Sequence, residues 1–226
     1  MKRTVFITIG EAPRWDIQDS FDLFFADCPQ VKQVGVLNNF TYQEAMTQLK
    51  PQIDDEIVVS TFCDGRSLSM SKSKVEKKLQ ELIDRAEKEL AEVVVIFCTA
   101  EFSNLVVSSA ELIEPEYILL PYIQQKFGKK KLGVIVPIKE QVTFSEKKWR
   151  EYVCDPVFCC ASPYQYDETD FLEAGLYFKN LEVEAIILDC MGYTRRMSAF
   201  LREVTQKPVF QSNELLFEFV YQKIKE

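Results

Sequence analysis

Two stretches decide how this chain is read: EVVVIFCTA at 92–100 and EAIILDCMG at 184–192. Each has an acidic residue, a run of consecutive apolar residues, and a cysteine where the run stops. Apolar residues on alternate positions would mark a strand wet on one face. Consecutive ones mark a strand covered on both faces, the habit of parallel sheets. Both runs are far too short to span a bilayer. The same pattern standing once in each half predicts a duplicated α/β architecture.

Other short runs extend this reading. They are TVFITI at 4–9, Val34–Leu37, Glu56–Ser60, Leu132–Val136, Val157–Cys160 and Pro208–Phe210. The segments between them carry helical patterns. In Lys74–Ala91, Val75, Leu79, Leu82, Ile83, Ala86 and Leu90 recur at helix spacing. Ser73 with Glu76 reads as a capping box at its start, and Thr41 with Glu44 as another opening a helix to about Leu49. Asp167–Asn180, Arg195–Thr205 and Asn213–Lys225 are similar amphipathic stretches. Strands alternating with helices imply βαβ units. The expected fold is α/β: two similar lobes related by a pseudo-twofold, each a mainly parallel sheet flanked by helices, with an active-site cleft between them. The first lobe is expected over 1–98 plus 208–226, the second over 99–207.

Composition removes several functions. The 226 residues include no histidine, which excludes a Ser-His-Asp triad, a Cys-His pair and any His-ligated metal. A formal net charge of −8 argues against binding duplex nucleic acid, which takes lysine and arginine on phosphates. Seven cysteines, an odd number with no CxxC pair in a long chain, fit neither a disulfide scaffold nor a zinc site. The start, MKRTVFITIGEAPRW, has no secretory apolar core, because Gly10, Glu11 and Pro13 interrupt it. A reducing, cytoplasmic setting is expected. No GxGxxG or GxxxxGK[ST] pattern speaks for a nucleotide site.

Ligands of open α/β sheets bind beyond the carboxyl ends of strands. The residues placed there are Gly10, Glu11 and Arg14, then Thr61 and Cys63–Arg66, then Cys98 and Thr99, then Cys190, Gly192 and Tyr193. Two thiols at equivalent strand ends suit proton transfer at carbon. One thiolate removes a proton from one face of a carbon acid, and the opposite thiol returns one to the other face. Arg14 has the fork geometry to hold a carboxylate. Thr61, Thr99 and Tyr193 could orient an anionic substrate. Backbone amides near Gly10 and Gly192 could stabilise the enolate. The plainer readings stand beside these. A strand-end cysteine is most often a small buried hydrophobe. Cys63 reads as a loop residue, Cys159 and Cys160 as packing, and Ser212 and Asn213 as caps.

Four segments carry a family resemblance: ITIGEAPRWD (7–16), STFCDGRSLSMSKSKVEKKLQ (60–80), IVPIKEQ (135–141) and LDCMGYTRRM (188–197). They resemble AroM proteins along nearly the whole chain, and these are similar to the aspartate/glutamate/hydantoin racemase superfamily. The resemblance implies Cys98 and Cys190 as the acid/base pair, with no cofactor and no metal. The chemistry it implies is racemisation, epimerisation, decarboxylation or cis–trans isomerisation of small carboxylates or hydantoins. Asp189 and Met191 beside the second cysteine depart from the small residues usual there; an anionic Asp189 disfavours the thiolate only if it shares the face of Cys190, and adjacent strand residues usually point oppositely. The reading is therefore a cofactor-independent racemase, epimerase or isomerase acting on a small-molecule carboxylate or hydantoin-like carbon acid. It has no nucleic-acid or membrane partner, and a homodimer is left open. The rivals are a non-catalytic carboxylate-binding protein on the same scaffold and a decarboxylase needing Cys190 alone.

Overall fold

The computed structural model describes residues 1–226. The chain divides into two compact units, Met1–Pro115 with Phe217–Glu226, and Glu116–Leu216.

The first unit runs β1 (Thr4–Thr8), α1 (Gln18–Phe25), β2 (Val31–Gly35), α2 (Tyr42–Gln48), β3 (Ile57–Thr61), β4 (Ser67–Ser71), α3 (Lys72–Lys88), β5 (Val93–Phe97) and β6 (Glu111–Ile113). Its sheet has the order β2-β1-β5-β6, all parallel. Every residue of β5 is buried, which is why its apolar residues are consecutive. Val94, Ile96 and Cys98 face a core built with Val75, Leu79 and Ile83 of α3. The other face is aromatic: Phe6 lies 5.4 Å from Phe21 and 5.8 Å from Phe217, and Phe217 stacks on Phe97 at 5.2 Å.

The second unit contains α4 (Glu116–Phe127), β7 (Leu132–Val136), α5 (Val142–Arg150), β8 (Val157–Cys160), α6 (Glu168–Lys179), β9 (Ala185–Leu188), α7 (Arg195–Thr205) and β10 (Val209–Gln211). The terminal helix α8 (Ser212–Lys225) begins here and crosses the unit boundary. The sheet order is β10-β9-β7-β8, again parallel. Ile186, Leu188 and Cys190 face a core with Phe171 and Phe178 of α6 and Leu201 of α7. Ala185 and Ile187 face Trp149, Leu120 and Ile123.

Numbered within each unit, both sheets have the strand order 2-1-3-4. Cys98 follows the third strand of one and Cys190 the third strand of the other. In such a sheet the connections from strands 1 and 3 leave in opposite directions. The crevice where they diverge is the usual ligand position. The duplication read from two nine-residue stretches is thus a duplication of topology.

Three expectations are corrected. Ile57–Thr61 is not part of the parallel sheet; it forms an antiparallel hairpin with Ser67–Ser71. The chain can reverse within five residues because Gly65 takes φ +87°, a conformation that favours glycine. The partner strand SLSMS is easily missed because serines occupy its alternate positions. The unit boundaries also differ from 98 and 208. Residues 111–113 pair beside β5 and stay with the first unit, while 209–211 pair beside β9 and stay with the second. Finally, α3 begins at Lys72, directly from β4, and has no capping box. Glu76 instead accepts hydrogen bonds from Asn104 N and Nδ2 at 3.0 and 3.1 Å. The Thr41–Glu44 capping box is present. No helix is long and apolar enough to cross a membrane.

Candidate active site

In the first unit, Cys98 is the residue after β5, buried at 9% exposure. Its Sγ accepts the backbone N–H of Ala100 at 3.5 Å. Thr99 beside it is half-buried. The neighbouring loop after β1 is tied down by the chain itself. Gly10 N and Arg14 Nη1 both donate to Thr8 Oγ1, at 3.2 and 3.3 Å. Leu37 N donates to Gly10 O, Glu11 N to Thr61 O, and the Asn38 amide pairs with Ala12 N and O. A Cβ on Gly10 would stand 2.4 Å from Ser60 Oγ, so this approach of loop to hairpin requires glycine.

Arg14 does hold a carboxylate, but one of the protein's own. Its Nε donates to Asp16 Oδ1 at 2.7 Å and Nη2 to Oδ2, with the guanidinium 2% exposed and 5.8 Å from the Phe97 ring centroid. Thr61 directs its hydroxyl to Phe62 O and Arg66 O, within the hairpin turn. Cys63 sits near this loop, and its backbone N–H donates to Glu11 at 2.7 Å. Desolvation of its sulfur, followed by the Glu11 charge, pushes its thiol up to about 11. That supports the loop reading for Cys63.

In the second unit, Cys190 lies two residues beyond β9, buried at 8% exposure. Its Sγ accepts the N–H of Gly192 at 3.5 Å. The two cysteines therefore share one local device: a buried thiol bonded to the amide two residues on. The sequence reading did not identify Tyr164, whose hydroxyl lies 3.2 Å from Cys190 Sγ. It comes from the loop after β8, 26 residues away in sequence, so only the fold could bring it there. Tyr193 is placed differently from expectation. It is fully buried and donates its hydroxyl to Ala161 O at 2.9 Å, a structural bond. Burial raises its pKa well above that of a free phenol.

Asp189 points to the opposite face from Cys190, as strand alternation requires. Its carboxylate accepts Trp149 Nε1 at 2.7 Å and Lys148 Nζ at 2.9 Å. The residues read as helix caps direct their side chains elsewhere. Ser212 donates to Leu188 O, and Asn213 donates to Met191 O and Tyr193 O at 3.1 and 2.8 Å. Gln211 adds a bond to Tyr193 O. These buried side chains fix the backbone that carries Cys190. No group of three histidine, cysteine, aspartate or glutamate side chains is placed to share a metal ion.

Two sheets of order 2-1-3-4, each with a cysteine after its third strand, define the class: a duplicated α/β fold, shared with solved racemases and a decarboxylase. The structure aligns with glutamate racemase isoform RacE1 from Bacillus anthracis at TM-score 0.63 and 12% identity, covering 99% of this chain and 82% of that one. Allantoin racemase from Klebsiella pneumoniae aligns at 0.60 and 8% identity over 98% and 87%. Arylmalonate decarboxylase aligns at 0.57 and 13% identity over 99% and 92%. At these identities the likeness is one of fold. The chain belongs to the AroM protein family, whose model matches residues 5–222. Comparison with functionally curated proteins finds no match.

Proposed function

We propose that this protein is a cofactor-independent racemase, epimerase or isomerase acting on a small carboxylate or hydantoin-like carbon acid, with Cys98 and Cys190 as the acid/base pair. The observation that carries the reading is the shared device at the two strand ends. Each thiol is buried, stands after the third strand of a 2-1-3-4 sheet, and accepts the N–H two residues on at 3.5 Å. A donor aimed at sulfur favours the thiolate, which is the form that removes a proton. In the forward direction one thiolate takes the α-proton and the other thiol delivers its own. The roles exchange for the reverse reaction, so no net proton is consumed. Thr99 and Gly192 follow the two cysteines closely, and Gly10 and Arg14 stand in the loop after β1, the strand paired with β5. Arg14 contributes through its pair with Asp16, shaping the loop, and a substrate carboxylate must compete with Asp16 to reach it.

The test is solvent deuterium exchange into the α-position of a panel of amino acids, hydantoins and 2-substituted malonates, followed by NMR. The expected result is exchange into one class, lost by more than about a hundredfold in both Cys98→Ser and Cys190→Ser, because general acid and base contribute about 10²–10⁴ each. Activity surviving in Cys98→Ser but not Cys190→Ser would replace the two-base mechanism with one-thiol decarboxylation. Ligand-induced thermal stabilisation with no exchange anywhere in the panel would replace the enzyme with a binding protein.

A further inference from the structure

Cys190 has a second polar neighbour besides the amide of Gly192. The Tyr164 hydroxyl lies 3.2 Å from Sγ, and the Gly192 N–H lies 3.5 Å from the same atom. The ring fits only because residue 192 has no side chain. A Cβ there would stand 2.7 Å from Tyr164 Cε1 and 3.0 Å from its hydroxyl oxygen. Phenol and amide arrive from different loops, one after β8 and one after β9, so their convergence on one sulfur is not a by-product of adjacency in sequence.

The chemistry of the contact has a direction. A free thiol loses its proton near pH 8.5 and a phenol near 10, so the thiol ionises first and the phenol keeps its proton. Between neutral groups either atom can donate. Once the sulfur is charged it can only accept, and Tyr164 O–H and Gly192 N–H both donate to it. Hydrogen bonds to an ionised acceptor are roughly twice as strong as neutral ones. The contact therefore favours the thiolate over the thiol.

We infer that Tyr164 is a positioning residue that holds Cys190 and stabilises its thiolate, with Gly192 supplying both the room and the second donor. This rests on the reading that Cys190 works as a thiolate base. Tyr193 and Cys159 share the core of Cys190. Burial raises the pKa of both, so neither is charged near neutral pH. Asp189 pairs with Lys148 on the opposite face of the strand, while its charge also contributes to raising Tyr193. The two hydrogen bonds to Sγ are a means of favouring the charged sulfur.

The experiment is alkylation of the full chain by iodoacetamide across pH, resolved by peptide mass spectrometry, with exposed Cys154 as reagent control. Tyr164→Phe keeps the ring and removes the donor. The half-maximal pH at Cys190 should rise by about one unit, a roughly tenfold slower reaction at pH values below both midpoints. Gly192→Ala keeps the phenol but displaces it, and should move the midpoint the same way. A merely structural role for Tyr164 would alter thermal stability and leave the midpoint where it was. An unchanged midpoint in either variant, with native circular dichroism, overturns the inference. A raised midpoint with no deuterium exchange into any carbon acid would defeat the proposed function and leave this role of Tyr164 standing.

Discussion

Replacing Asp189 by alanine separates the carboxylate next to Cys190 from the thiol itself. Asp189 is 5% exposed and joins α5 to the end of β9 through Trp149 Nε1 at 2.7 Å and Lys148 Nζ at 2.9 Å. Trp149 is 2% exposed, so its indole N–H would lose its acceptor in a site closed to water, at a cost of about 1–3 kcal/mol. Removing one partner of a fully buried ion pair costs about 3–5 kcal/mol. The Lys148 side chain is 18% exposed and can turn to solvent, which pulls its share down. The expected total for Asp189→Ala is about 3 kcal/mol, a fall in Tm of roughly 6–12 °C for a chain of this size. Asp189→Asn keeps an acceptor for the indole and loses only the charge, so about 1–2 kcal/mol is expected. Thermal unfolding by circular dichroism measures both. Tryptophan fluorescence localises the change, because the only other tryptophan, Trp15, is 64% exposed. If asparagine costs as much as alanine, the indole bond carries nothing. If neither variant shifts Tm by more than a degree or two, the buried carboxylate is not an anchor at all.

Two further outcomes follow from the first unit. Glu87 accepts the backbone N–H groups of Ala110, Ser109 and Ser108, which lower its pKa from 4.5 to about 2. Its contribution is therefore complete above pH 4.5 and is lost as pH falls toward 2, so urea unfolding of the wild type should weaken more steeply than that of Glu87→Gln across this window. Parallel pH dependences in the two proteins would show that the bonds from residues 108–110 add no stability. Gly10→Ala would bring a Cβ within 2.4 Å of Ser60 Oγ and 2.8 Å of Thr61 O, and should destabilise the protein by about 1–3 kcal/mol in chemical denaturation. A neutral result would mean that the loop after β1 has room to move away from the hairpin.

Much of this protein is legible in its sequence, and for a definite reason. Residues 93–97, 132–136 and 185–188 are buried throughout, and burial on both faces admits only apolar side chains, so these strands announce themselves. The helices at 168–179 and 195–205 carry their own caps, Asp167 and Thr194, and were equally plain. Placing both cysteines at the ends of matching strands needed nothing more than these boundaries. The strand at 67–71 escaped notice because serine occupies its alternate positions, Ser71 among them although it is buried. Helix α4 escaped too, with Pro121 inside it and Tyr117 and Tyr122 exposed among its polar residues, which blurs its period.

What the sequence alone determined was most of the elements, their α/β alternation and the thiols at two matching strand ends. Those properties are local, written in periodicity and in the chemistry of residues a few positions apart. The tertiary structure decided which side chains surround each thiol. It took Arg14 to Asp16, turned Tyr193 to Ala161, sent Asp189 to Trp149 and brought Tyr164 to Cys190. These partners, apart from Asp16, lie tens of residues away in sequence. Hydrogen bonds between them depend on the packing of whole strands and helices, and no periodicity encodes where a loop side chain finds its partner.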